Sequence, residues 1–517
     1  MTGERGNIAS TIAKATPNLL SADLTKPALI AALAVLTAGI FGAGVAPNDS
    51  MKYLNAALVW HHDGPQLGET HWSLRYPLVL AIVASFAAFG VSEFASLAPN
   101  YLYAAALVAV TFHFARKHLG DSAGLAASAL VASSPYLLVT SLGLDILGPE
   151  IFFGALACWL FLDGAGDRIK LRSLAGASAA AGAAWLCREI AIYLPATFAL
   201  ILMLRRPFRL DALVAVCGVF GLVVMIELAA YWMIAGDPFY RLTVDFGHRG
   251  PGHFFAMPRD APSNPLLARL VTPLIKASTW PVASPFMALG ALTLAHRGFR
   301  RALFTGPHRA AWRLFAAASL ISFFSSAYGA NLKSPQYYPI LVYTATLLTG
   351  AFAAFLYEKS RRRVALAIFA GAVALNWAVA DFRRYDEHAE ARLLAAYAMS
   401  SETPVMTDGS TATRARMFLQ LNGVTAEKAT EKILSAGRRG EAPCGVVYAA
   451  TPRRGTPRIT PGDDWRRLWS ATPRRERATV ALARLLVGGT LPQGWADQLN
   501  AAGPVALYVA PACAGVD

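Results

Sequence analysis

The sequence predicts an α-helical polytopic membrane protein that carries a small soluble α/β domain at its C-terminus. Of its 517 residues, 55% are hydrophobic and only 15% are charged, whereas a soluble domain carries about 25% charged residues. The mean hydropathy is +0.41. The apolar residues form runs of about 17 to 25, which is the length of a membrane-spanning helix. These runs recur from Lys26 to about Asp381 and then stop.

The charges between the twelve candidate spans indicate on which side of the membrane each loop lies. Basic residues form short clusters between the spans, and the positive-inside rule assigns such clusters to cytoplasmic loops. If all twelve segments cross from a cytoplasmic N-terminus, every cluster after the first span falls outside. If one crossing between Asp49 and Arg116 is removed, every cluster falls inside. The candidate spans are about 27–46, 77–95, 99–115, 122–138, 149–163, 172–187, 190–204, 211–235, 271–295, 313–329, 337–357 and 364–381.

The segment 77–95 is the one that we expect not to cross. It begins with a proline, contains Gly90 and Glu93, and follows a long amphipathic loop. We predict that it lies in the interface or dips in and returns, as juxtamembrane helices do. Eleven crossings remain. The first of them is expected to act as a signal anchor, because residues 1–26 contain no suitable cleavage site.

This topology brings most acids near the membrane core to the outer face. Charged groups at membrane depth are costly and usually line a functional cavity, so we expect the functional site on that face. The formal net charge of +15 is distributed over the loop clusters, which argues against a nucleic-acid groove. The outer acids are Asp49, Asp145, Glu150, Glu189, Asp237 and Asp245.

Two features of the first outer loop carry the chemistry. Asp49 begins a predicted helix, and Tyr53 lies four residues later on the same face; a helix-start acid that only complements the dipole is the alternative. Arg75 stands where the loop re-enters the interface. Its planar guanidinium suits a phosphate headgroup, although arginines also snorkel at interfaces.

These features resemble the membrane-embedded glycosyltransferases of the GT-C class. The similar branch is the bacterial one related to protein O-mannosyltransferases and lipid A aminoarabinose transferases. Its motifs occur in order along most of residues 28–381. They are Asp49 with Tyr53, "RYPL" at 75–78, the stretch 133–162, "GAAWLCREIAIYLP" at 182–195, "GDPFY" at 236–240 and "KSPQYYPILV" at 333–342. Two positions depart from the pattern: Gln336 stands where many relatives have arginine, and Asn48 precedes Asp49 where many relatives have a second acid after it.

The resemblance implies an inverting transfer of a sugar from a polyprenyl phosphate to a hydroxyl of a glycan, lipid or protein. Asp49 would be the general base, which must lie within about 3 Å of the proton that it removes. Basic groups would stabilise the phosphate that leaves. The predicted substrate-binding residues are Tyr53, Arg75, Asp145, Arg188, Lys333 and Tyr337.

Several alternatives stay open at this stage. Arg188 could instead pair with Glu189 or Asp145 to hold two turns together. No cofactor is certain, and a divalent metal is possible: Asp145 could share a weakly bound one with Asp49, although no His or Cys stands at ligand spacing near either acid. A transporter or export protein for a glycan is the alternative function, and a catalytically inactive glycolipid-binding relative is a third. The expected location is the bacterial inner membrane, with the site facing the periplasm.

The C-terminal region changes character. From Arg383 the hydrophobic runs shorten to strand length, which predicts a domain boundary between residues 1–382 and 383–517. Predicted strands are "TPVMTDG", "CGVVYAA" and "PVALYVA", and predicted helices lie at 386–400, 410–423 and 474–489. Cys444 and Cys513 lie here, where a disulfide would require an oxidising compartment; Cys158, Cys187 and Cys217 are expected to be packing residues.

Overall fold

The computed structural model describes residues 25–41, 49–68, 70–134, 136–137, 144–249, 284–326, 337–383, 389–435, 447–450, 465–471, 478–490 and 505–509. The membrane part is helical throughout these ranges, because a helix satisfies its backbone hydrogen bonds internally. Its α-helices are α1 Thr25–Phe41, α2 Asp49–Asp63, α3 Tyr76–Phe89, α4 Glu93–Leu119, α5 Asp121–Ser133, α6 Leu147–Gly164, α7 Leu171–Cys187, α8 Tyr193–Leu204, α9 Leu210–Ala235, α10 Tyr240–Arg249, α11 Ser284–Ala295, α12 Arg297–Thr305, α13 Arg309–Phe324, α14 Pro339–Glu358 and α15 Arg362–Arg383.

Five of the described helices are long and apolar enough to cross a membrane. They are α4, α6, α9, α14 and the part of α15 from Arg362 to Ala380. The other predicted spans correspond to shorter helices or reach into ranges outside the described residues. The multi-pass character is therefore supported by these helices, and the number of eleven crossings stays a prediction.

The segment predicted to remain in the interface is a short helix. α3 has 14 residues, which gives a length of about 21 Å, less than the ~30 Å thickness of the hydrocarbon core. It ends at Gly90, whose φ of 75° lies in the left-handed region. α4 then begins at Glu93 and continues through Pro99 to Leu119. The predicted boundary between residues 95 and 99 is therefore wrong, because Pro99 lies inside a helix that Ser92 caps at its N-terminus.

The helix bundle has two chemically different ends. At one end, Asp163 contacts Lys117 at 2.6 Å and His118 at 2.7 Å, and Arg205 donates to the carbonyl oxygen of Ala165 at 2.6 Å. The basic clusters of the sequence belong to this end. The other end gathers the turns that the sequence assigned to the outer face, which are described below.

The C-terminal region forms a five-stranded sheet flanked by helices. The strands are β1 Val405–Thr407, β2 Ile433–Ser435, β3 Val447–Ala450, β4 Arg466–Ala471 and β5 Val505–Val509, in the order β2-β1-β3-β5-β4. β1 pairs in parallel with β2 and β3, whereas β5 pairs antiparallel with β3 and β4. The helices are α16 Ala389–Ser400, α17 Gly409–Leu421, α18 Ala426–Lys432 and α19 Ala478–Leu486.

The core of this region is continuous with the first outer loop. One cluster of buried side chains includes Tyr53 and Leu54 of α2, Leu78 of α3, Leu394 of α16 and Phe418 of α17. Part of the apolar surface of residues 383–517 is therefore buried against α2 and α3. Cys158 and Cys187 are free and buried, whereas Cys217 is free and exposed. Cys444 and Cys513 lie outside the described residues.

Cysteine-accessibility labelling will test which end of the bundle faces outward. We expect single cysteines at Asp49, Asp145 and Asp245, and in the C-terminal tail, to react with an impermeant maleimide in intact cells. Cysteines at Arg116, Arg206 and Arg362 should react only after permeabilisation, because the positive-inside rule retains those loops in the cytoplasm. A background with Cys217, Cys444 and Cys513 replaced is needed, since Cys217 is exposed and the other two lie in the tail. Labelling at Lys117 and Asp49 from the same side would contradict the topology.

Candidate active site

The candidate active site is built on the first turn of α2. Asp49 is the first residue of this helix and is exposed, while the Tyr53 side chain one turn later is 1% exposed. The charges of Asp49, Arg75, Asp145 and Arg188 all act on the Tyr53 hydroxyl group. Burial raises the pKa of Tyr53 well above its usual value, so the phenol stays neutral. The phenol thus lies among the two acids and two arginines, with Asp49 at the open side.

Hydrogen bonds attach the turn of Asp145 to this helix. The Ser50 hydroxyl donates to the carbonyl oxygen of Leu144, and the Asn100 amide donates to the carbonyl oxygen of Asp145 at 3.0 Å. The Asp145 carboxylate accepts the backbone N–H of Leu147 at 3.0 Å. Burial raises the pKa of Asp145, with Arg188 opposing the shift and Asp49 adding to it. The turn that contains Asp145 is therefore attached to the first turn of α2.

Arg75 lies immediately before α3 and is 9% exposed. Its position follows from the sequence, because Pro77 favours the first turn of a helix and leaves Arg75 at its N-terminal end. The Arg75 Nε has no hydrogen-bond partner among the described residues. The guanidinium is nonetheless close enough to Asp145 and Glu150 to affect their ionisation. A buried polar group without a partner costs free energy, so this position suits an incoming anion.

Arg188 has a carboxylate partner that the sequence did not identify. Its Nη1 lies 2.9 Å from Oε2 of Glu150, whose side chain is also buried. The alternative pairing with Glu189 or Asp145 stays a prediction, and the charge of Asp145 acts on Arg188. The Arg188 guanidinium also lies 5.5 Å from the ring centroid of Tyr337. Tyr337 thus belongs to the site, while Lys333 lies outside the described residues.

A second network of charged side chains is centred on Arg241. Arg241 of α10 is 3% exposed; it contacts Glu227 of α9 at 2.7 Å and also contacts Glu189. It further donates to the carbonyl oxygen of Trp185 at 3.2 Å. These contacts join α7, α9 and α10. They also explain why Glu227 is tolerated within an apolar helix, since intramembrane charges usually pair.

Asp245 and Glu189 have opposite ionisation behaviour beside Arg241. Burial, followed by the neighbouring Glu189, raises the pKa of Asp245 to about 7. Burial opposes the charge of Glu189, but Arg241 outweighs it and lowers the pKa of Glu189 to about 2. His71 of the first outer loop lies 4.0 Å from Asp245. The network therefore holds one ionised and one readily protonated carboxyl group.

We expect the ionisation of Asp245 to lower the stability of the folded protein as the pH rises. Its folded pKa lies above the ordinary 3.8, so its contribution is present at acid pH and is lost as the pH rises through about 7. The contribution of Glu189 changes only below its ordinary value of 4.5. We expect the melting temperature to fall between about pH 5.5 and about pH 8, and Asp245→Asn to flatten this dependence. Thermal unfolding in detergent measures it, with Asp237→Asn as the control; equal slopes in both variants would contradict the assignment.

The sequence identified most of the residues that meet here but missed three. Asp49, Tyr53, Arg75, Asp145, Arg188 and Tyr337 are brought to one end of the bundle. Glu150 was noted only as an outer acid, and Arg241 was not singled out. The buried Tyr136, which is close enough to Glu150 and Arg188 for their charges to act on its hydroxyl group, was also missed. The position of Arg241, directly after the "GDPFY" motif at 236–240, is the signal that could have found it.

The metal alternative gains no additional ligand here. Within the ranges that the structure describes, no three His, Cys, Asp or Glu side chains are grouped so that they could hold a metal ion. The described groups can instead do acid–base and anion-binding chemistry. They include the exposed carboxylate of Asp49 and the buried guanidinium of Arg75, whose Nε has no hydrogen-bond partner among the described residues.

Comparison with known proteins identifies the fold. Residues 74–232, less than one third of the chain, match the family model described as dolichyl-phosphate-mannose-protein mannosyltransferase. No curated protein matches the sequence. The chain is similar to the crystal structure of ArnT from Cupriavidus metallidurans bound to undecaprenyl phosphate, with a TM-score of 0.53 and 12% identity over 95% of this chain and 99% of ArnT. The apo form of that ArnT gives a TM-score of 0.51 and 13% identity over 82% and 92% of the two chains.

A second protein has a similar fold over a smaller part of its length. The Archaeoglobus fulgidus oligosaccharyltransferase, solved in complex with Zn and sulfate, gives a TM-score of 0.50 and 15% identity over 76% of this chain. This chain covers 57% of the oligosaccharyltransferase. The resemblance to GT-C glycosyltransferases related to the mannosyltransferase and ArnT branches is therefore confirmed at the level of the fold.

Proposed function

We propose that this protein is an inverting membrane glycosyltransferase that moves a sugar from a polyprenyl phosphate to a hydroxyl acceptor. The single observation that carries the proposal is the buried Arg75 guanidinium, whose Nε has no partner among the described residues, beside an exposed carboxylate at the start of α2. The similar fold of ArnT, solved with undecaprenyl phosphate, supports a polyprenyl phosphate as the carrier. The sugar would be a hexose or a pentose.

In the proposed reaction, Asp49 accepts the proton of the acceptor hydroxyl as its oxygen attacks the anomeric carbon. The bond between that carbon and the phosphate oxygen breaks, and its electron pair remains on the phosphate. Arg75 and Arg188 stabilise the charge that develops there. Asp49 suits the role because it is exposed and can meet an acceptor that arrives from water. Asp145 and Tyr53 would position the two substrates.

The proposed sidedness and location follow from the charge pattern. The basic clusters lie at the opposite end of the bundle from Asp49, so the positive-inside rule favours a site on the outer face. We propose the bacterial inner membrane, with the C-terminal region in the periplasm. The acceptor would be a glycan, a lipid or a protein.

Binding of undecaprenyl phosphate to the purified protein tests the donor site. We expect Arg75→Ala to weaken binding by on the order of 1.5–3 kcal/mol, because a hydrogen bond to a charged group is lost. Arg209→Ala is the matched control, since Arg209 is half exposed and pairs with Asp211. Absence of binding to the unaltered protein would contradict the proposed donor. Unchanged binding in Arg75→Ala would assign the phosphate to Arg188 or Lys333 instead.

A further inference from the structure

A cleft with both apolar and polar lining residues lies between the first outer loop and the C-terminal region. Its volume is about 510 Å³, within the range of about 300–1,000 Å³ that is typical of small-molecule sites. One wall is α2, the second is formed by residues of 66–68 and 70–73, and the third is the helix α17. Neither the membrane part nor the C-terminal region forms this cleft alone.

The cleft contains polar groups suited to a sugar. The amide side chains of Asn55, Gln66 and Gln420 line it, and each amide both donates and accepts hydrogen bonds, as vicinal hydroxyl groups also do. Trp60 lines the same space, and its indole N–H donates to the carbonyl oxygen of Gln66 at 2.5 Å. This bond holds the ring, which is partly exposed and lies 6.0 Å from the ring of Tyr76, centroid to centroid. Several two-way hydrogen-bonding groups beside a fixed aromatic ring are suited to an oligosaccharide.

The charged groups of the cleft are basic. Lys52 and Arg416 line it, and none of its described lining residues is acidic; Glu69 lies outside the described residues. The Lys52 ammonium lies 3.0 Å from the centroid of the Trp72 ring, a cation–π contact that orients it. Arg416 uses its Nε to donate to the carbonyl oxygen of Ile433 at 2.7 Å, which anchors the guanidinium to β2. Two anchored cations favour an anionic ligand.

The cleft begins one helical turn from the proposed base. Asp49 and Lys52 are three residues apart on α2, so they lie on neighbouring parts of the same helix face, with a rise of about 4.5 Å between them. A ligand held by Lys52 and Asn55 can therefore extend toward Asp49. The donor-side groups Arg75 and Arg188 are buried, whereas the side chains of Lys52 and Asn55 are exposed. The two substrates would approach Asp49 from different sides.

We propose that this cleft binds the acceptor and that the acceptor is an acidic glycan. The proposal rests on the proposed transferase function, since it assigns the second substrate of that reaction. It gives the C-terminal region a direct role, because Arg416 and Gln420 of α17 complete the site. Hydroxyl recognition comes from the amides and charge selection comes from Lys52 and Arg416.

Two oligosaccharides of equal length test the charge selection on the full-length protein in detergent. We expect tetragalacturonate to bind at least about tenfold more tightly than maltotetraose, because only the former complements the two cations. Gln420→Glu keeps the size of the side chain and adds a negative charge. It should weaken tetragalacturonate binding by about tenfold more than maltotetraose binding, because both sugars lose the amide but only the former is repelled by the added charge. Thr430→Glu, an exposed position of α18, adds the same charge away from the cleft and should change neither.

The outcomes separate this proposal from the proposed function. Equal binding of the two oligosaccharides, binding of neither, or no effect of Gln420→Glu would each overturn the acidic-glycan assignment. Undecaprenyl phosphate binding is measured on the same preparations. If that binding is retained while the oligosaccharide result is negative, the cleft assignment fails and the transferase proposal stands. If undecaprenyl phosphate does not bind, the donor proposal fails whatever the cleft binds.

Discussion

Replacing Asp49 with asparagine is expected to lower sugar transfer by roughly 10²–10⁴, which is the usual contribution of a general base. Asparagine keeps the size of the side chain but cannot accept the proton. Asp49 is exposed and is the first residue of α2, so the fold and undecaprenyl phosphate binding should stay near those of the unaltered protein. The measurement is transfer of labelled sugar by the purified enzyme, with donor binding measured in parallel.

Two further variants sharpen this test. Asp49→Glu should recover little activity, because one more methylene moves the carboxylate by about 1 Å and a displacement of that size can cost about a hundredfold. Asp63→Asn is the matched control, since Asp63 is an exposed acid at the other end of the same helix. An Asp49→Asn enzyme that transfers sugar at the original rate would remove Asp49 as the base and favour the transporter alternative.

Asp145→Asn should lower transfer less than Asp49→Asn does if Asp145 positions the acceptor. It should lower transfer equally if Asp145 shares a metal with Asp49, and sensitivity to a chelator would then distinguish these two roles.

Removing Arg241 is expected to destabilise the folded protein by about 3–5 kcal/mol, the usual cost of leaving a buried charge without its partner. Arg241→Met would leave Glu189 and Glu227 together without the guanidinium that contacts both. Because Arg241 also joins α10 to α7 and α9, α10 should lose its attachment to those helices. Unfolding of the detergent-solubilised protein by titration with SDS measures the change.

The double variant Arg241→Met with Glu227→Gln should recover part of this loss, because the most buried carboxylate is neutralised together with its partner. The matched control is Arg209→Met. Arg209 and Asp211 form an exposed pair, and exposed pairs contribute only about 0–1 kcal/mol. Equal destabilisation by Arg241→Met and Arg209→Met would show that the buried network does not stabilise the packing of α10 against α7 and α9.

Local features were predictable from the sequence because their causes are local. The apolar runs identified the long helices, since length and hydropathy alone decide whether a segment can span the hydrocarbon core. Asp49 was expected at a helix start and Arg75 before the helix that Pro77 opens, and both are observed there. Strands also occur within the three C-terminal stretches for which they were predicted. β2 and β4 were missed, since short strands in arginine-rich or helix-flanking sequence have no clear alternation.

The sequence by itself determined the helical membrane architecture, because the length and hydropathy of each apolar run are local properties. It also predicted several polar residues that the structure brings to the same end of the bundle as Asp49, because the order of motifs and charges along the chain can be read directly. Only the tertiary structure decided which partners these residues have. Arg188 contacts Glu150, 38 positions away along the chain, and Arg241 contacts both Glu189 and Glu227. The cleft likewise combines α2 with α17, which are separated by more than 300 residues. Such pairings depend on how distant segments pack and on which buried charges need compensation, and no spacing within one segment specifies either.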